Sequence, residues 1–143
     1  MTFKQLINLE DAAKEVWVIS PGLHYDVENK DFSELVSVNL GQKTKYRYIV
    51  PANKAVLKNL EVYKKKYAIK DREIMDNFLI LPENEFIPFV LEIAIYDANT
   101  NCIACAAPAL EGENEVIRFT NDAAQQMAKD FREIWKKFKR EKL

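Results

Sequence analysis

One histidine, two cysteines and a few charges set inside apolar runs carry what chemistry this 143-residue chain could perform. His24 stands in the segment Leu23-His24-Tyr25-Asp26, just after the stop signal Ser20-Pro21-Gly22. A loop that leaves the carboxyl end of a strand is where open α/β sheets commonly bind ligands. An imidazole there can hydrogen-bond or exchange a proton near neutral pH. The sequence supplies it with no identifiable catalytic partner, so His24, Tyr25 and Asp26 are read as ligand contacts. Arg47 lies between Tyr46 and Tyr48; strand alternation turns it away from both tyrosines. Glu92, within Leu91-Glu92-Ile93-Ala94-Ile95, is costly to bury unless it is paired. Glu92 and Arg47 either pair in a groove or stand as two exposed strand charges, the pair being the preferred reading, with Asp97 opening the turn Asp97-Ala98-Asn99-Thr100-Asn101. Asn39 also stands out as a polar residue beside an apolar stripe.

Cys102 and Cys105 have the C-x-x-C spacing, but they sit in the apolar run Cys102-Ile103-Ala104-Cys105-Ala106-Ala107. On a strand, residues three apart point to opposite faces, where two thiols can neither share a metal nor close a disulfide. Redox pairs of this spacing open a helix, whereas Pro108 ends this run. Both are read as buried structural cysteines, and no metal or cofactor is expected.

The elements that position these residues follow from periodicity. Phe3, Leu6, Ile7 and Ala13 predict an amphipathic helix over 3–14. Val16 to Ser20 reads as a buried strand and 23–30 as a polar loop. A helix follows from about Asp31, with Phe32, Leu35, Val36 and Leu40 inward and Gly41 as its left-handed terminator. Tyr46 to Val50 reads as the second strand, ended by Pro51. Asn53 then caps a helix reaching about Tyr67, with Val56, Leu57, Leu60, Tyr63 and Tyr67 inward. Strand, helix, strand, helix at this spacing predicts parallel strands with right-handed crossovers. Apolar runs at 78–81, 86–96 and 102–107 predict further strands, some antiparallel, and 116–119 a last short one. The C-terminal helix, capped near Thr120, aligns Ala124, Met127, Ala128, Phe131, Ile134, Trp135 and Phe138 on one face. The expected class is α/β: a mixed sheet with helices on both faces, in one domain over 1–143.

Three passages give this order a family likeness. Ala13-Lys14-Glu15-Val16-Trp17-Val18-Ile19-Ser20-Pro21 resembles the first strand of a phospholipase-D-like domain. The stretch from Gly41 to Pro51 is similar to that family's second helix–strand passage, and Asp130 to Phe138 to its terminal helix. The family's catalytic motif is His-x-Lys-x4-Asp on a strand and the turn after it. Aligned on Asp97, this chain has Val90 at the histidine position and Glu92 at the lysine position. Valine cannot attack phosphorus, and a carboxylate repels a phosphodiester. The resemblance therefore implies a degenerate, non-catalytic phospholipase-D-like unit, a ligand-sensing or protein-interaction domain with no catalytic residues. It implies a homodimer, since catalytic members bring two units together, and either a small anionic ligand or a protein partner. The alternative is a phosphodiesterase-like enzyme of altered chemistry, using His24 and groove carboxylates.

Composition narrows the partners. Acidic residues number 22 and basic residues 21, giving a formal net charge of -1 and no global field to gather nucleic acid. The lysine run 64–66 and the basic C-terminus read as solvated helix surface. No segment has the length of a membrane span and the N-terminus lacks a signal-peptide pattern, so the expected compartment is the cytoplasm.

Overall fold

The computed structural model describes residues 1–86, 91–110 and 115–143. Its elements run α1 (Phe3–Ala12), β1 (Glu15–Ile19), α2 (Tyr25–Glu28), α3 (Lys30–Gly41), β2 (Lys45–Pro51), α4 (Lys54–Lys66), α5 (Asp71–Asn77), β3 (Phe78–Leu81), β4 (Leu91–Tyr96), β5 (Ile103–Pro108), β6 (Ile117–Arg118) and α6 (Asn121–Lys139). The strands form one mixed sheet in the order β3-β2-β1-β4-β5-β6. β1, β2 and β3 are parallel, and β4, β5 and β6 add antiparallel neighbours. This is the expected α/β mixed sheet with helices on both faces.

Strand alternation divides the core into two. One face presents Val16, Val18, Tyr46, Tyr48, Val50, Phe78, Tyr96 and Cys105 to residues of α1 through α5. The other presents Trp17, Ile49, Leu79, Ile95 and Ala104 to α6, with Phe86, Phe119 and Leu143 packed beside them. Phe131 of α6 is fully buried and stacks on Trp17 at 4.8 Å between ring centroids, with Trp135 continuing the stack at 5.8 Å. Cys102 belongs to the α6 face and Cys105 to the other, so the two buried thiols lie across the sheet from each other, as strand parity demands.

Side chains fix the helix starts. Thr2, Asn29, Asn53 and Thr120 each accept a backbone N–H of the first turn. Several expectations change. Gly41 stays helical, and the left-handed residue is Lys43, at φ 65°, because the chain makes an extra turn before β2. Residues 25–28 form a helical turn within the expected polar loop, and Asp71–Asn77 is a further helix. Leu57 is 51% exposed rather than inward. Phe138, in the last turn of α6, is 38% exposed beyond the sheet that covers its stripe-mates. Of the expected strand over 86–96, Leu91–Tyr96 is present as β4 and Phe86 is not in a strand; residues 87–90, with the Val90 aligned on the family's histidine, lie outside the described residues.

Phe131→Ala should lower the unfolding free energy by about 3–5 kcal/mol in urea titration, since it opens the only helix-to-sheet stack described on that face. Leu57→Ala should move it by no more than about 0.5 kcal/mol. Equal effects would contradict this division of the core.

Candidate functional site

The face opposite α6 collects unusual polarity for a protein interior. Glu10, Asp26 and Glu92 are 1%, 2% and 8% exposed, and they come from α1, α2 and β4. All six tyrosines of the chain belong to this side of the sheet. The acids climb it rung by rung. Val16 pairs with both Tyr46 and Tyr96, and the hydroxyls of those tyrosines each donate to Glu10 at 3.0 Å. Asn39 Nδ2 donates to the Tyr46 hydroxyl at 3.0 Å and to the Glu10 carbonyl at 3.2 Å. One rung on, Tyr48 donates to Asp26 Oδ2, and Tyr67 donates to the Asp26 carbonyl at 2.5 Å. Glu92 follows on β4, two residues before Ala94, with the Ser20 hydroxyl as its hydrogen-bonding neighbour. Its Oε2 is buried without a hydrogen-bond partner among the described residues.

Burial sets the charge of this cluster. Desolvation, then the nearby Asp26 charge, lift Glu10 from 4.5 to about 8, although two tyrosine donors oppose the rise. Desolvation lifts Asp26 from 3.8 to about 6, with the Tyr48 hydroxyl pulling the other way. Glu92 is pushed well above the ordinary carboxyl range, first by burial and then by Asp26. Tyr46, Tyr48, Tyr63 and Tyr96 are driven further up, foremost by burial, and stay neutral donors. Near neutral pH the cluster thus holds Glu10 chiefly as an acid and Asp26 chiefly as an anion, with Glu92 shifted toward its protonated form.

A cavity of about 30 Å³ opens among these groups, lined by Glu10, Asp26, Glu92, Tyr25 and Tyr96 together with apolar Leu6, Val18, Phe32, Ala94 and Ala107. It exists because β4 and β5 present small residues, Ala94, Cys105 and Ala107, where helices α1 to α3 cannot close down on the sheet. The loop beside it is held in a strained form. Leu23 takes φ 58°, its N–H bound by the Ser20 hydroxyl at 2.8 Å. Asn53 and Asn59 donate to the carbonyls of Pro21 and Gly22, at 3.0 and 2.8 Å, and tie the loop to α4 and its N-cap. Left-handed backbone at a leucine costs about 1–2 kcal/mol, and such strain clusters at functional sites. A Cβ at Gly22 would meet His24 Nε2 at 2.4 Å, so a larger residue there would turn the imidazole aside.

The expected site residues separate. Tyr25, Asp26 and Glu92 meet at the cavity. His24 is nearby in the chain, but its Nδ1 lies 2.9 Å from Glu28 Oε2 on the outer side of α2, and it is not among the cavity-lining residues. Arg47 belongs to the α6 face, its guanidinium 6.0 Å from the Trp135 ring centroid. The expected Glu92–Arg47 pair therefore does not form: the sheet lies between them. Asp97 is about 17 Å along the chain from Glu92, five residues at about 3.4 Å each. Its Oδ1 accepts the N–H groups of Lys14 and Glu15 at 2.9 and 3.0 Å, which closes the junction between α1 and β1. Asp97 lines a broad groove at that opposite end with Lys14, Lys43 and Lys45. Glu10, Ser20, Tyr46, Tyr48 and Tyr96 join the site without having been singled out. Glu10 was detectable as a charge on the same stripe as Phe3 and Leu6.

No group of three or more His, Cys, Asp or Glu is placed to hold a metal ion among the described residues. No helix among them is long and apolar enough to cross a membrane.

Unfolded, Glu10 and Asp26 titrate near 4.5 and 3.8; folded, near 8 and 6. The native state therefore holds protons that the unfolded chain releases. The stability these groups contribute is complete below the unfolded values and lost as pH rises through 6 and then 8. Glu10→Gln should shallow the fall of the urea midpoint between pH 5 and pH 8, with its largest relative gain at pH 8. A slope identical to that of the unaltered protein would contradict the assignment. Compared with known proteins, the chain matches no family model, no curated relative and no solved structure.

Proposed function

We propose that this chain is a non-catalytic ligand-sensing domain on a phospholipase-D-like scaffold, with the acid–tyrosine cavity as its sensing site. One observation carries the reading. Glu10, Asp26 and Glu92 converge from three elements on a single cavity, although an apolar core would be more stable there. Polarity retained at such a cost is a mark of function rather than of folding. The strained Leu23 beside it points the same way.

Phosphodiester chemistry fits the site poorly. Among the described residues no basic side chain lines the cavity, and its carboxyl groups would oppose a phosphate. The small anionic ligand implied by the family likeness is therefore unsuited to this cavity. A space of about 30 Å³ also falls far below the roughly 300–1,000 Å³ of sites that enclose a substrate. A bound group enters as a small polar head, with the rest of the ligand or a protein partner outside.

Pairing of two copies belongs to the same proposal. Leu91 and Ile117, 41% and 58% exposed, lie by strand parity on the α6 side of the sheet and give that side an apolar margin beyond the helix.

A thermal-shift screen over small cations, anions and neutral hydrogen-bonding compounds tests the sensing reading. It should yield saturable stabilisation that weakens in Asp26→Asn. The same protein should not turn over a chromogenic phosphodiester; turnover that disappears in His24→Ala would overturn the non-catalytic reading. Sedimentation velocity should show a dimer that Ile117→Lys dissociates, and a monomer at all concentrations would remove that element.

A further inference from the structure

Resting on the sensing reading, we propose that the cavity recognises a primary ammonium group on a short aliphatic stem, with Glu92 as the residue that selects it. Glu92 is buried and lines the cavity, and its Oε2 has no hydrogen-bond partner among the described residues. An unpaired buried carboxyl oxygen is one of the costlier features an interior can carry, and a donor bound there removes the cost. Asp26 and Glu10 line the same wall, so among the described residues the cavity offers acceptors from three carboxyl groups and not one cationic side chain.

The rest of the lining decides which cation. An ammonium is a compact charge with three hydrogen-bond donors, which matches a wall of carboxyl and phenolic oxygens. The apolar lining, Leu6, Val18, Phe32, Ala94 and Ala107, suits methylene groups behind that head. About 30 Å³ takes a group of one or two waters' size, so –NH3⁺ with one carbon fits. A quaternary ammonium has no N–H donor and is too large. A metal ion is the poorer occupant, since no three acidic, histidine or cysteine groups among the described residues are placed around one point.

Calorimetric titration with methylammonium chloride tests this, against potassium chloride and tetramethylammonium chloride at equal ionic strength. Methylammonium should bind saturably and raise the melting temperature, and the other two salts should do neither. Glu92→Gln keeps the shape of the side chain but cannot give up a proton to face the incoming cation; it should weaken binding by about tenfold or more. Ala107→Val, across from Glu92 on β5, should abolish binding by filling the cavity while leaving every acid in place. Methylammonium binding that is absent, or that persists unchanged in both variants, overturns the assignment. If a neutral compound instead stabilises the protein through Glu92, the ammonium assignment falls and the sensing reading stands. If no compound of the screen stabilises the protein, both fall.

Discussion

The hydrogen bonds that tyrosine hydroxyls donate to buried carboxyl groups are the constraint on which one whole side of this sheet depends. Glu10 joins α1 to both β2 and β4 through Tyr46 and Tyr96. Asp26 joins α2 to β2 through Tyr48, and its carbonyl holds Tyr67 of the turn that ends α4. Deleting a donor would leave a desolvated carboxyl oxygen unmatched, and deleting the Glu10 carboxyl would strand two phenols, that of Asp26 one. The network is therefore mutually required, and it stays tolerable because burial keeps much of it protonated. An ionised Glu10 beside an ionised Asp26 would repel across a medium that screens little.

The two faces divide the work. The α6 side is dry and aromatic, with Trp17, Phe131 and Trp135 stacked and Ala124 and Ala128 letting the helix approach closely. It supplies stability through ring stacking, even though Trp17 Nε1 and Arg47 Nε are buried there without hydrogen-bond partners among the described residues. The other side gives up part of its packing to acids, phenols and a cavity. Stability held on one face and specialised chemistry on the other is the usual compromise between robustness and function. The ends of the sheet differ as well. Glu92 and the strained Leu23 loop mark one end, and Asp97 closes the other as a structural turn.

Much of the fold was legible because its signals are local. The Tyr-Arg-Tyr alternation that opens β2, the apolar run of β5, the apolar stripe of α6, and the caps Asn53 and Thr120 each follow from residues within a few positions. Parity alone placed Arg47 away from Tyr46 and Tyr48, and the two cysteines on opposite faces. The site was legible only in part, because its residues meet through strand order. Nothing local says that β4 inserts beside β1 in antiparallel sense, yet that neighbour sets Glu92 against the Ser20 loop and Tyr96 against Glu10. The Glu92–Arg47 pair failed for the same reason: opposite charges were matched without knowing which face each strand turns inward. Glu10 looked like one more surface charge of an amphipathic helix, and only its spacing from Phe3 and Leu6 set it apart.

The central claim is that burial raises the titration of all three acids above the ordinary carboxyl range. Carbon-detected NMR titration of the side-chain carboxyl groups reads this directly. Glu10 should titrate near 8 and Asp26 near 6, with Glu92 well above the ordinary carboxyl range. Three midpoints at or below the ordinary carboxyl range would contradict it, because the cluster would then be ionised and in contact with water rather than dry.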